Sequence, residues 1–191
     1  MSMIKPFIMV SLTLLLSACG DMVDDLKPSG EDLRTTITAN STGSQVGQKS
    51  VDITAPNTDG TTFLLSDYLA GGTQASDAVV FYFTMWCPIC LSHTDHMLYN
   101  VIPQFQSRGK TTYVLVDYVS GSIAATQVSE SVNGYNGSVF TTIADENQAI
   151  LSQLEGAMGK VIVIDGNGII QMSEDYKTGA NLSAALDKIL P

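Results

Sequence analysis

Hydrophobic and polar positions change character three times along the chain. Phe7 to Leu16 (FIMVSLTLLL) is an apolar run of ten residues. Residues 20–45 are rich in Asp, Ser, Thr, Gly and Asn and hold no sustained period. From about Val46 the pattern becomes that of a folded domain. Val51-Asp52-Ile53 and Thr61 to Leu65 flank the turn Asn57-Thr58-Asp59-Gly60, which predicts a hairpin. Ser66 is placed to cap a short helical turn through Tyr68 and Leu69. Ala78 to Thr84 (AVVFYFT) is a continuous run of β-formers, the pattern of a central strand buried on both faces.

A helical stretch follows Cys90. Leu91, Leu98, Val101, Ile102 and Phe105 share one face, His93, His96 and Asn100 lie elsewhere, and Pro103 should kink or shorten the helix. Thr111 to Val119 reads as a second buried strand ending at Asp117, and Ser122 to about Val132 as a polar helix. A short strand near Val139–Ile143, a helix over Glu146–Leu154 and a strand over Val161–Ile164 come next. Asp165-Gly166-Asn167-Gly168 turns into Ile169–Met172, and Asn181–Leu190 closes as an amphipathic helix. This order predicts an α/β sandwich with a mixed central β-sheet and an N-terminal β-hairpin extension.

The 191 residues, 45% apolar and 15% charged, suit one domain with a substantial core and a short appendage. A net charge of −10 argues against nucleic acid and gives anionic lipid headgroups no attraction for the chain. Three cysteines cannot build a disulfide-rich scaffold, and their odd number calls for a separate role for one of them.

The front end supplies that role. Lys5 followed by the apolar run makes residues 1–18 a secretory signal, too short to span a bilayer permanently. Leu16-Ser17-Ala18-Cys19-Gly20 resembles the bacterial lipobox, which implies cleavage before Cys19 and acylation of that residue. The plainer alternative is a secretory signal with a chance cysteine. Residues 19–45 then form a lipid-anchored, acidic, flexible tether, and 46–191 the domain. Gly20, where an inner-membrane retention signal would carry Asp, favours the outer membrane. Only Cys87 and Cys90 remain as thiols, in an oxidising compartment.

Trp86-Cys87-Pro88-Ile89-Cys90 stands directly after a buried strand and opens a helix. Cys87 would take the N-cap, where unpaired backbone N–H groups and the helix dipole stabilise a thiolate. Pro88 at the first helical position loses no useful hydrogen bond. Cys90 lies on the same side of the first turn, within reach of a disulfide. Cys87 is thus the exposed attacking thiol and Cys90 the shielded resolving one. The chemistry requires no organic cofactor and no metal.

Here the chain resembles the thioredoxin superfamily, and within it the membrane-tethered periplasmic redoxins of the TlpA/ResA type, over about residues 46–191. Trp86 to Cys90 matches the Trp-Cys-x-x-Cys motif after an aromatic strand (Phe81-Tyr82-Phe83), and Val161 to Gly168 is similar to the family's late strand and turn. The resemblance implies a thioredoxin-like three-layer sandwich and a thiol–disulfide oxidoreductase. Its partners would be cysteine-containing envelope proteins, such as apocytochromes, and an upstream dithiol donor or acceptor. It also implies departures. The usual cis-proline position falls on Gly159, which with Trp86 would border the contact surface. The residue before the second cysteine is Ile89, with proline earlier at Pro88, and the buried acid of thioredoxin is replaced by Phe81. Asp117 is the nearby strand-borne carboxylate that would serve as proton acceptor, set against a plain solvated residue at a strand end.

Three rival readings stand beside this one. A peroxiredoxin-like thiol peroxidase would use Thr84, three residues before Cys87, but its proline position is Val80 and no arginine follows Arg108. A copper or other metal-binding chaperone would draw on Cys87, Cys90, His93 and His96, though positions three apart turn through about half a helical circle and cannot all converge. The two histidines would otherwise occupy an exposed helix face. A surface lipoprotein with a structural disulfide would gain little, because so short a loop hardly constrains the unfolded chain. Gly166-Asn167-Gly168 precedes a strand, not a helix, so it is no dinucleotide loop.

Overall fold

The computed structural model describes residues 36–191. The signal at residues 1–18, Cys19 and the first part of the tether lie outside the described residues. Elements in chain order are β1 (Thr54–Pro56), β2 (Thr62–Leu64), α1 (Leu65–Tyr68), β3 (Ala78–Thr84) and α2 (Pro88–His96). Then come β4 (Thr111–Asp117), α3 (Ile123–Val132), β5 (Phe140–Ala144), α4 (Ala149–Gln153), β6 (Lys160–Asp165), β7 (Ile170–Asp175) and α5 (Ala180–Ile189). No helix among the described residues is long and apolar enough to cross a membrane.

The main sheet has the order β5-β4-β3-β6-β7, with β3, β4 and β5 parallel and β6 and β7 antiparallel to their neighbours. β3 lies at its centre and every one of its residues is buried. Alternation sends Ala78, Val80 and Tyr82 to one face and Val79, Phe81 and Phe83 to the other. On the first face they meet Met97, Val101 and Phe105 from the helical segment after Cys87, with Leu182 and Leu186 of α5. On the second they meet Phe63 and Leu65 of the hairpin region, with Ile150 and Leu154 around α4. These layers make the mixed α/β sandwich with its two-stranded N-terminal sheet.

Four local details differ from the pattern-based expectations. The first hairpin strand begins at Thr54, and Ile53 instead lends its carbonyl to the Leu65 N–H at 2.9 Å. Ser66 caps nothing; its own N–H is taken by Asp52 Oδ1 at 3.0 Å, so the cap comes from across the hairpin. α4 begins only at Ala149, because the Asp145 carboxylate accepts the N–H groups of Ile150 (3.1 Å) and Leu151 (2.8 Å) and Gln148 takes a left-handed conformation. After α2 the helix does not stop at Pro103. It widens into a π turn over Met97–Val101 and resumes as Ile102–Phe105, which accommodates a ring with no N–H to donate.

The end of the predicted tether is bonded into the domain. Lys49 N–H donates to Ser41 O at 2.8 Å and Gly47 N–H to Ile170 O at 2.8 Å, while the Ser44 hydroxyl and Gln45 amide both reach Glu155.

Phe81 is fully buried and meets Phe63 edge-on with ring centroids 5.7 Å apart. Phe81→Ala should therefore cost about 3–5 kcal/mol of stability, read as a lowered midpoint with unchanged slope in urea denaturation.

Candidate functional site

β3 hands the chain to α2 through Met85, Trp86 and Cys87. Trp86 sits at φ 58°, uncommon for a residue with a Cβ, and its N–H donates to Thr84 Oγ1 at 3.0 Å. The half-buried indole stacks on Tyr135 with centroids 6.3 Å apart, and the Tyr135 hydroxyl donates to Asp95 Oδ1 at 2.7 Å. Trp86 is thus held as packing that fixes the turn before the thiols.

Cys87 occupies the N-cap of α2, and Pro88 is the first helical residue. Cys87 Sγ accepts the Cys90 N–H at 3.2 Å, and the two sulfurs are 2.8 Å apart as free cysteines. Cys87 is half-buried, whereas Cys90 is 0% exposed. Their surroundings drive the two thiols in opposite directions. Burial opposes ionisation of Cys87, but hydrogen bonds from the Cys90 thiol and from the N–H groups of Cys90, Ile89 and Cys87 together outweigh it and hold the thiol below the ordinary cysteine value. Burial pushes the Cys90 thiol up, and its hydrogen bond to Cys87 adds to that rise. This is the division that an attacking and a resolving thiol would need.

Gly159 does not border an open surface, which corrects the expectation drawn from sequence counting. It is buried at φ 75°, its N–H donates to Phe83 O at 3.0 Å, and its carbonyl accepts the Tyr176 N–H at 2.9 Å. A Cβ there would face the His93 ring at 3.6 Å and the Tyr82 hydroxyl at 3.9 Å. The side chain that reaches the thiols is Met158, 45% exposed, with Sδ 3.7 Å from Cys87 Sγ. All peptide bonds of the described residues are trans.

Asp117 is not a solvated strand-end residue, because it is only 1% exposed. Its Oδ1 accepts the N–H groups of Val119 (3.1 Å) and Ser120 (3.0 Å). Burial opposes the charge, but the nearby Ser120 hydroxyl and Trp86 indole dipoles, together with the two backbone N–H groups, hold the carboxyl below its usual range. Neither the indole N–H nor Oδ2 makes a hydrogen bond of ordinary geometry, so the indole acts on Asp117 as a nearby dipole. A carboxyl held below its usual range is a poor proton acceptor, although its buried Oδ2 has no hydrogen-bond partner.

His93 departs from the exposed helix face, whereas His96 lies on it as expected. His93 is half-buried with Nδ1 3.1 Å from the Tyr82 hydroxyl, and His96 Nδ1 lies 2.8 Å from the Tyr176 hydroxyl. No group of three or more His, Cys, Asp or Glu side chains gathers as a metal site among the described residues. Thr84 is buried and holds the Trp86 N–H, and Arg108 is tied to Asp187 and the carbonyls of Leu190 and Pro191. Tyr82, Tyr176 and Met158 escaped the sequence reading. For Tyr82 a signal existed: strand alternation puts it on the face of Val80, which packs against α2.

A helix-capping thiol, a buried partner one turn on and a five-stranded mixed sheet together define a thioredoxin-like redox protein. The chain belongs to the Redoxin family, whose model matches residues 45–186. No curated protein sequence matches it. Among solved structures it is similar to a candidate protein disulfide isomerase of Bacteroides thetaiotaomicron, with 17% identity over 76% of this chain and 90% of the other at a TM-score of 0.61. It is also similar to the peroxidoxin BcpB of Mycobacterium tuberculosis, with 19% identity, 75% and 97% coverage and a TM-score of 0.56. A secreted Mycobacterium tuberculosis disulfide oxidoreductase homologous to Escherichia coli DsbE shares 18% identity over 71% and 95%, at a TM-score of 0.52. At such identities the likeness is one of fold.

The two environments predict selective alkylation. Iodoacetamide should modify Cys87 with an apparent pKa below about 8.5, the ordinary cysteine value, and leave Cys90 unmodified in the native protein, as mass spectrometry of digested samples would show.

Proposed function

We propose that the protein is a thiol–disulfide oxidoreductase of the bacterial cell envelope that works through the Cys87–Cys90 couple. The observation that carries this is the asymmetry of the pair: a half-buried, acidified thiol 2.8 Å from a fully buried, less acidic one. Cys87 attacks a client disulfide, the mixed disulfide forms at its sulfur, and Cys90 displaces the client as the protein disulfide closes. The reverse sequence oxidises a client dithiol. Met158 touches Cys87, and Met85 and Ile89, two residues to either side of it, are exposed as well, an apolar surface that suits cysteine-containing envelope proteins as clients. A separate dithiol protein or membrane reductase would exchange electrons with the couple.

The peroxidase reading lacks support at this site, since Arg108 is engaged by Asp187 and the C-terminal carbonyls. The metal-chaperone reading lacks it too, since both histidines are committed to tyrosine hydroxyls. The envelope setting rests on the signal at residues 1–18 and on Cys19, which would carry the lipid.

Titration of the couple in defined thiol buffers tests the reaction: one two-electron transition should appear, lost in Cys87→Ser and in Cys90→Ser. Cys90→Ser should also accumulate mixed disulfides with client proteins on non-reducing gels, because resolution is blocked. For the anchor, cells fed labelled palmitate should label the protein, and Cys19→Ala should abolish the label; persistent labelling would rule out lipidation at Cys19.

A further inference from the structure

A second polar cavity lies apart from the dithiol, where the first hairpin turn, α3 and β5 enclose about 240 Å³. Asn57, Asp59, Glu130, Phe140 and Thr142 line it, and none of its lining residues is Lys, Arg or His. Backbone contacts fix its walls. The Thr58 N–H donates to Thr142 O at 3.0 Å, and Asn57 pairs with Ile143 in a single antiparallel bridge. Asp59 and Gly137 are exposed, so the cavity can be reached from solvent.

The groups lining this cavity are rich in unused acceptors. Asn57 is 6% exposed, Thr142 2% and Glu130 6%. Asn57 Oδ1 and Thr142 Oγ1 are both buried without a hydrogen-bond partner. Turning the Asn57 amide over does not cure this. The Thr61 hydroxyl gives its proton to Asp59 Oδ1 at 2.6 Å, so it can only accept from Asn57, whose Nδ2 lies 3.2 Å away. The Asn57 oxygen is thereby left as a free acceptor. Among the described residues no basic side chain pairs with Glu130 or Asp59. The Thr61 hydroxyl, then its N–H, holds the Asp59 carboxyl below its ordinary value, so Asp59 is charged at neutral pH. Buried acceptors without donors and a buried carboxylate without a counter-charge both cost stability. Their complement is a ligand that brings N–H donors and positive charge together.

We propose that this cavity binds an organic cation with N–H donors, a guanidinium or ammonium group on a short carbon chain. Its donors meet Asn57 Oδ1 and Thr142 Oγ1, its charge answers Glu130 with Asp59 at the rim, and Phe140 offers apolar surface to the carbon chain. Size agrees with this class. The cavity falls a little below the range of about 300–1,000 Å³ that holds drug-sized ligands, and a bare ion would fill only a small part of it. Among the described residues no third His, Cys, Asp or Glu joins the two carboxylates to close around a metal. The same chemistry is carried by a free amine or guanidine and by an arginine side chain of another protein.

Calorimetric titration of the full chain with agmatine, which carries a guanidinium and an ammonium on one short chain, should give saturable binding of a single equivalent. A blocked Gly-Arg-Gly peptide separates the two sources: it binds too if the cavity takes a protein side chain, and fails if only a free ligand fits. Glu130→Gln should weaken agmatine binding on the order of 10-fold. Thr142→Val keeps the side-chain shape and removes the unpaired hydroxyl. It should weaken agmatine about 10-fold while the ligand-free protein unfolds at the same or a higher urea concentration. A threonine with a structural role alone would not lose affinity and keep stability in this way. The absence of saturable heat with both probes overturns the proposal. So does agmatine binding that both variants keep, which would be unspecific attraction to a chain of net charge −10. Saturation of the site by calcium in place of agmatine overturns it as well.

Discussion

The hydrogen bond from the Cys90 N–H to Cys87 Sγ, 3.2 Å long, is the contact on which the site depends. The first N–H groups of a helix have no partner within it, and here a sulfur answers one of them. That single contact gives the sulfur a reason to be anionic, starts the helix, and sets the second cysteine one turn deeper. It can form only because β3 ends at Thr84, Trp86 adopts a positive φ, and Pro88 enters the helix where a missing N–H costs nothing. The backbone turn and the redox asymmetry are one structural fact.

β3 then partitions the surroundings of the pair. Its alternation assigns Phe81 to the hairpin side, against Phe63, and Tyr82 to the side that carries Cys90 and Tyr176. The environment of the buried thiol is consequently aromatic and hydroxylic. Charge is kept apart from it: Asp117 is stabilised at the end of β4 by its own loop, and Asp95 accepts the Tyr135 hydroxyl. On the open side a thioether, not a proline ring, meets the Cys87 sulfur, which leaves a flexible and polarisable surface beside Ile89.

The boundaries of β3, β4 and β6 and the N-cap position of Cys87 were legible in the chain because local rules govern them. Runs of β-formers, Pro at the first helical position and a strand-to-helix switch all act within a few residues. Ser66 and residues 146–148 read less well, since Asp52 and Asp145 capture the helix-starting N–H groups from outside the pattern. Counting along the chain reached the loop before β6 and named Gly159, whereas the side chain that meets Cys87 is that of Met158 beside it. Met158 reaches Cys87 while Gly159 faces inward toward His93 and Tyr82 only once the loop is bonded to Phe83 and Tyr176.

By itself, then, the sequence determined a sandwich around a buried strand and a dithiol opening a helix, because hydrophobic period and capping chemistry are encoded by neighbours. Only the tertiary structure decided that Asp117 is buried, that His93 meets Tyr82, and that Met158 faces Cys87. The Met158 contact joins residues 71 positions apart, a separation that no local pattern spans. The packing of helix on sheet sets these contacts, as each side chain's protonation and exposure depend on what the fold brings against it.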